Sequence, residues 1–112
     1  MSQITTHILD TTKGRPAAGV TIALLQHAGD NWQEIARGVT NSDGRIANLL
    51  PKETQLELGI YKIKFFTKEY FAQDATANFY PFVEIVFEVA TAEHYHVPLL
   101  LNPFGYATYR GS

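Results

Sequence analysis

Cysteine is absent from this 112-residue chain. That excludes disulfide staples, thiolate metal ligands and cysteine nucleophiles together, and it suits a reducing compartment. Basic runs are missing too. Nine Lys and Arg against eleven Asp and Glu leave a net charge of −2, with no general attraction to nucleic acid or an anionic membrane. No apolar run approaches the ~20 residues of a membrane span. The opening stretch MSQITTHILD has neither a basic n-region nor a continuous apolar core, and the final RGS is not a peroxisomal tripeptide of the Ser-Lys-Leu kind. A soluble, cytoplasmic protein is the expectation. There are no internal repeats, no low-complexity linker, and no GxSxG elbow to make a nucleophile of the terminal Ser112.

What is present is a globular composition, 46% hydrophobic and 18% charged, at a length suited to a single domain over residues 1–112. The dominant period is two. Tyr61, Ile63 and Phe65 alternate with Lys62 and Lys64, and Val83, Ile85, Phe87 and Val89 alternate with Glu84 and Glu88. Both segments read as strands with one buried and one wetter face. Val20, Ile22 and Leu24 mark another strand, joined through the loop HAGDN (27–31) to 32–39 as a hairpin. NSDG (41–44) and LNPFG (101–105) read as turns. One helix is predicted, capped by Thr67 with Glu69 in its first turn; it runs about ten residues, through Asp74 and Ala75, before Pro81. Seven or eight short strands and one helix predict an antiparallel all-β sandwich.

YHVPLLL (95–101) departs from simple alternation. Tyr95, Val97, Leu99 and Leu101 form one apolar set, yet Pro98 and Leu100 on the other face are apolar as well. Both faces of this strand are therefore expected to be covered, the second by another subunit. Pro98, with no N–H for a ladder, predicts a strand at or near a sheet edge.

Four histidines are candidates for chemistry. His27 reads as a solvated loop residue. In ITTHILD the set Ile4, Thr6, Ile8 is the better core face, which turns His7 outward beside Thr5. His94 and His96, two apart on a strand, point the same way; they either hold zinc with a third ligand or finish a strand end. Arg45 follows the NSDG turn. At the C-terminus, Ala107 and Tyr109 share one strand face while Tyr106, Thr108 and Arg110 share the other, so the tail reads as a continued strand.

These residues together resemble a known family. ITTHILDTTKGRPAAGV, SDGRI, NFYPFVEIVFEV and EHYHVPLLLNPFGYATYRGS are similar to the transthyretin-related proteins, and the terminal YRGS to their 5-hydroxyisourate-hydrolysing branch. The resemblance covers about residues 3 to 112. It implies a prealbumin-like sandwich of two four-stranded sheets with one short helix, assembled as a homotetramer (a dimer of dimers) with active sites in the channel between dimers. It further implies hydrolysis of 5-hydroxyisourate to 2-oxo-4-hydroxy-4-carboxy-5-ureidoimidazoline, without cofactor or metal. Carried over by position, the implied site comprises His7, Arg45, His96, Tyr109 and Ser112.

The residue types suit that chemistry. Histidine can act as base and then acid near neutral pH, with His7 and His96 sharing the roles. Arg45 offers fixed charge and forked donors to carbonyl oxygens and ring nitrogens. Ser112 can hydrogen-bond a ring heteroatom or the attacking water, and its α-carboxylate adds a charge. If the histidines and Tyr109 share a pocket, Leu9, Pro98, Leu100 and Ala107 are expected to form its apolar floor or a subunit contact. Three rival readings are a ligand carrier on the same fold, a generic interaction module, and a zinc site on His94, His96 and His7. The role of Arg110, against substrate or as an anchor, stays open at this stage.

Overall fold

A computed structural model describes residues 2–112 as two four-stranded sheets packed face to face. The strands are β1 (Ile4–Asp10), β2 (Arg15–Pro16), β3 (Thr21–Ala28), β4 (Asn31–Val39), β5 (Gly59–Phe65), β6 (Val83–Val89), β7 (Tyr95–Asn102) and β8 (Gly105–Thr108). A single helix, α1 (Thr67–Ala72), connects β5 to β6. Sheet I has the order β2-β1-β7-β8 and sheet II the order β4-β3-β5-β6.

The alternating residues of the sequence form the interior. Ile4 and Ile8 of β1 and Val97, Leu99 and Leu101 of β7 face Ile22, Leu24, Tyr61, Ile63, Phe65, Val83 and Val89 of sheet II, all buried. Each such aliphatic or aromatic burial stabilises by about 1.5–3 kcal/mol. Thr6 shares this inward set and satisfies its hydroxyl by donating to the Val97 carbonyl at 2.6 Å. The buried Asp10 carboxylate ends β1 by accepting the Thr12 and Lys13 N–H groups, both at 3.0 Å, and the Tyr70 hydroxyl at 2.7 Å. Burial and that carboxylate push the Tyr70 phenol above its ordinary range. The same bond ties α1 to sheet I.

Five expectations are corrected. The sandwich is not wholly antiparallel: β1 and β7 pair in parallel over seven residues, with Thr5 opposite His96 and His7 opposite Pro98. Side-chain periodicity carries no information on strand direction.

Pro98 lies in an interior strand, between β1 and β8. Odd-numbered residues of β7 turn their N–H toward β1, as the Tyr95 N–H donating to the Gln3 carbonyl illustrates. Even-numbered residues turn toward β8, where the Gly111 N–H donates to the His96 carbonyl at 2.9 Å. The missing N–H of Pro98 therefore falls on the β8 side, opposite the gap where β8 has ended at Thr108. The Thr108 hydroxyl donates to the Pro98 carbonyl across that gap. For the same reason the tail is no continued strand: pairing lapses at Tyr109 and Arg110 and resumes only as an isolated bridge from Gly111 to His96.

The helix has six residues, with Phe66 rather than Thr67 at its N-cap, and Thr67 is already helical and buried. It ends well before Pro81 because Ala75 adopts a φ of +52° and the Thr76 N–H closes back on the Phe71 carbonyl. Only Thr67, Tyr70 and Phe71 are buried, so there is no further apolar face to extend it. His27 belongs to β3, opposite Trp32, with ring centroids 4.7 Å apart; the hairpin turns through Gly29 and Asp30 alone.

Candidate active site

The parallel pairing of β1 with β7 builds the floor of a cleft on the outer face of sheet I. Thr5 and His7 project outward between the buried Ile4, Thr6 and Ile8, and the register sets Thr5 directly beside His96. Gln3 holds the approach to β7: its side-chain amide donates to the Glu93 carbonyl and accepts the Leu56 N–H. His94 is thereby placed one outward position before His96, the two imidazoles lying 6.4 Å apart and nearly parallel.

Arg45 arrives from the loop after β4. Asn41 organises that loop through its side-chain oxygen, which accepts the Asp43 N–H at 2.8 Å and the Arg45 N–H at 3.2 Å. Gly44 adopts a φ of +72°, and a Cβ there would sit 2.4 Å from the Ile8 carbonyl oxygen, so only glycine lets the loop lie against β1. The Ile8 N–H donates to the Gly44 carbonyl at 2.9 Å, and His7 and Arg45 form a bridge. The guanidinium is thus presented beside the His7 imidazole by backbone geometry.

The C-terminal tail closes the third side. Gly111 passes so close over His96 that a Cβ would lie 2.4 Å from the ring carbon Cδ2 and 3.2 Å from Pro98 Cγ. This crossing helps bury Pro98, the apolar residue on the outer face of β7 for which a partner subunit was expected to provide cover. Arg110 turns away from the cleft. Its guanidinium donates to Glu93 at 2.7 Å and lies 4.6 Å from the centre of the Tyr95 ring, contacts that tie the tail to the segment leading into β7.

His7, Arg45, His96, Tyr109 and Ser112 all line one cleft of about 640 Å³. Thr5, Asn41, His94 and Gly111 line it too and were not among the residues singled out for the site, although the His-x-His spacing had marked His94. Leu9, Pro98, Leu100 and Ala107 do not line it; they continue the same sheet face beyond the cleft. The floor is more polar than expected because the Thr5 hydroxyl, not an aliphatic group, separates the two imidazoles. That hydroxyl is 2.8 Å from His94 Nε2 and 2.8 Å from His96 Nδ1. Among the described residues no three His, Cys, Asp or Glu side chains are grouped so as to hold a metal ion.

Burial lowers the basicity of both cleft histidines, and Arg45 lowers it further. For His7 a hydrogen bond and the charge of Asp43 pull the other way. For His96 the neighbouring His94 and His7 add to the lowering, while the Thr5 backbone opposes it. Both effects bias the imidazoles toward the neutral form, in which one ring nitrogen keeps a lone pair able to take a proton.

The fold and cleft define a class: a two-sheet β-sandwich with a cleft on one outer sheet face, lined by imidazoles beside a guanidinium. The model of the HIUase/Transthyretin family matches residues 4–111. A 5-hydroxyisourate hydrolase of Mus musculus is 43% identical over 114 residues, spanning 99% of this chain and 96% of that protein. Among solved structures, sea bream transthyretin in complex with thyroxine superposes with a TM-score of 0.90 at 36% identity, covering 97% of this chain and 94% of that one. The 5-hydroxyisourate hydrolase of Klebsiella pneumoniae does so with a TM-score of 0.86 at 36% identity, covering 97% and 98%. The chain belongs to the HIUase/Transthyretin family.

Proposed function

We propose that this protein hydrolyses 5-hydroxyisourate to 2-oxo-4-hydroxy-4-carboxy-5-ureidoimidazoline, with His7, Arg45, His96 and Ser112 acting on the ring or the attacking water and Tyr109 helping to bind the substrate. The carrying observation is the convergence of two imidazoles and the guanidinium on one cleft closed by the YRGS tail. The fold alone does not choose between hydrolase and carrier, since sea bream transthyretin with thyroxine and the Klebsiella hydrolase superpose comparably. The polar cleft favours hydrolysis, and the identity to the mouse hydrolase supports it.

In this mechanism a neutral imidazole takes a proton from water as its oxygen attacks a ring carbonyl carbon. Arg45 donates to the developing oxyanion, a contribution whose loss commonly costs about 100–1000-fold in rate. The C–N bond then breaks, the ring that took the proton returns one to the departing nitrogen, and the new carboxyl group ionises. The reaction needs only water, a base that becomes an acid, and fixed positive charge.

Assembly as a homotetramer, a dimer of dimers, belongs to the same proposal. It is supported by the edge strands β6 and β8, each paired on one side only, and by Val86 on β6, 59% exposed. Both edges are suited to pairing with a second copy.

Generating 5-hydroxyisourate with urate oxidase and following its ultraviolet decay tests the activity. Acceleration over spontaneous decay is expected, with near-complete loss in Arg45→Gln. No acceleration by the wild-type protein, together with saturable thyroxine binding, would favour the carrier instead.

A further inference from the structure

The hydroxyl of Thr5 is shared by two imidazoles, and its single proton constrains both. It can donate to only one ring nitrogen and must accept from the other. When neither ring carries a charge, two arrangements satisfy both contacts. In the first, His96 Nδ1–H donates to Thr5, Thr5 donates to His94 Nε2, and His96 turns a lone pair on Nε2 to the cleft. In the second, every bond is reversed: His94 Nε2–H donates to Thr5, Thr5 donates to His96 Nδ1, and His96 Nε2 carries a proton. The first is ready to act as base and the second as acid.

His94 also borders a separate polar depression of about 290 Å³, whose lining includes Gln3, Lys52, Glu53 and Gln55. Among the residues lining the cleft, it alone also lines this depression. The chain from His96 through Thr5 to His94 therefore links the cleft to the depression.

We propose that Thr5 and His94 are positioning residues forming a proton relay, which switches His96 between base and acid and connects it to solvent away from the substrate. The proposal rests on the hydrolase reading. As water gives a proton to His96 Nε2, the Nδ1 proton passes to Thr5 and the Thr5 proton to His94 Nε2; His94 releases its Nδ1 proton to the depression. When His96 Nε2–H protonates the departing nitrogen, the same path runs backward and His94 regains a proton from solvent. No net charge is left beside Arg45 in either step. The groups facing His96 are Arg45, His7, His94 and Tyr109, and those in the depression with His94 are Lys52 and Glu53.

The test replaces Thr5 by Val, which keeps the shape and removes the hydroxyl, and by Ser, which keeps the hydroxyl. His94→Phe keeps a ring without nitrogens and serves if Thr5→Val does not fold. Expected for Thr5→Val and His94→Phe is a fall in kcat of roughly tenfold or more with KM little changed, and a smaller solvent deuterium effect; Thr5→Ser recovers to within about threefold of wild type. Nitrogen-15 spectra of the histidine rings should show His96 protonated on Nδ1 in the wild type and shifted toward a tautomer mixture in Thr5→Val. An unchanged kcat in Thr5→Val, a Ser variant as impaired as Val, or unaltered ring spectra overturns the relay. Absence of hydrolysis in the wild type would defeat the proposed function, while the ring spectra would still decide the relay.

Discussion

The two irregular segments that complete the cleft are held in opposite ways. The loop 41–45 is bound at nearly every residue. The Asn41 side chain accepts two backbone N–H groups, Asn41 and Arg45 exchange a backbone bond, and Gly44 bonds both Asn41 and Ile8. The tail 109–112 is held by one backbone bond, from Gly111 to His96, by the Arg110 guanidinium over the Tyr95 ring, and by an ion pair between Arg110 and Glu93 in which both side chains are more than half exposed. Exposed pairs of that kind hold weakly. The loop is therefore part of the fold, and Arg45 is preorganised at no further cost on binding. The tail is a cover laid on a finished sheet, and what it contributes is placement over the His96 ring.

The largest effect is expected from the loop. Gly44→Val must give up a φ of +72° or drive a Cβ into the Ile8 carbonyl, so the bond between loop and β1 breaks. A loss of about 2 kcal/mol or more in denaturant unfolding is expected, with activity lost in step. Equal stability to wild type would show that the loop is not locked as described.

Gly111→Ala separates the two segments more sharply. The added methyl meets His96 Cδ2 at 2.4 Å, so ring or tail must move, while little of the core depends on either. Activity is expected to fall about 100-fold, the cost of misplacing a reacting group by an ångström. Unfolding free energy should stay within about 0.5 kcal/mol of wild type. A variant losing stability and activity together would make the tail as structural as the loop.

The smallest effect is a shift along the pH axis. Burial and Arg45 depress both cleft histidines, so the acid limb of kcat/KM should lie below the ordinary imidazole value near 6.5. Arg45→Gln removes the electrostatic part and should move the limb of any residual activity upward, leaving the part due to burial. Stability follows the same sign. With the folded-state values depressed, the unfolded chain binds more protons as pH drops, so stability is full above about 6.5 and declines as pH falls through the folded values. An acid limb above 6.5 in the wild type would contradict the burial assigned to these rings.

Much of the fold was legible because burial in a sheet writes itself into alternate residues. Tyr61, Ile63 and Phe65 are buried as their spacing predicts, and His7 faces outward because Ile4, Thr6 and Ile8 face in. The family resemblance, rather than spacing, brought Arg45 and Ser112 into consideration. Leu9, Pro98, Leu100 and Ala107 lie on the face of the cleft but outside its lining, because a shared face does not specify how far along it a site extends.

Residue order alone determined which side chains are buried, where the turns at 41–44 and 101–105 fall, and which chemical groups are available. Each of these depends on neighbours a few positions apart. Tertiary structure alone decided that β1 and β7 run parallel, that Pro98 sits in an interior strand opposite a lapse in β8, and that Thr5 stands between His94 and His96. Those depend on the pairing of segments some ninety residues apart. Periodicity fixes only the face a side chain occupies; pairing partner and register determine what it meets there.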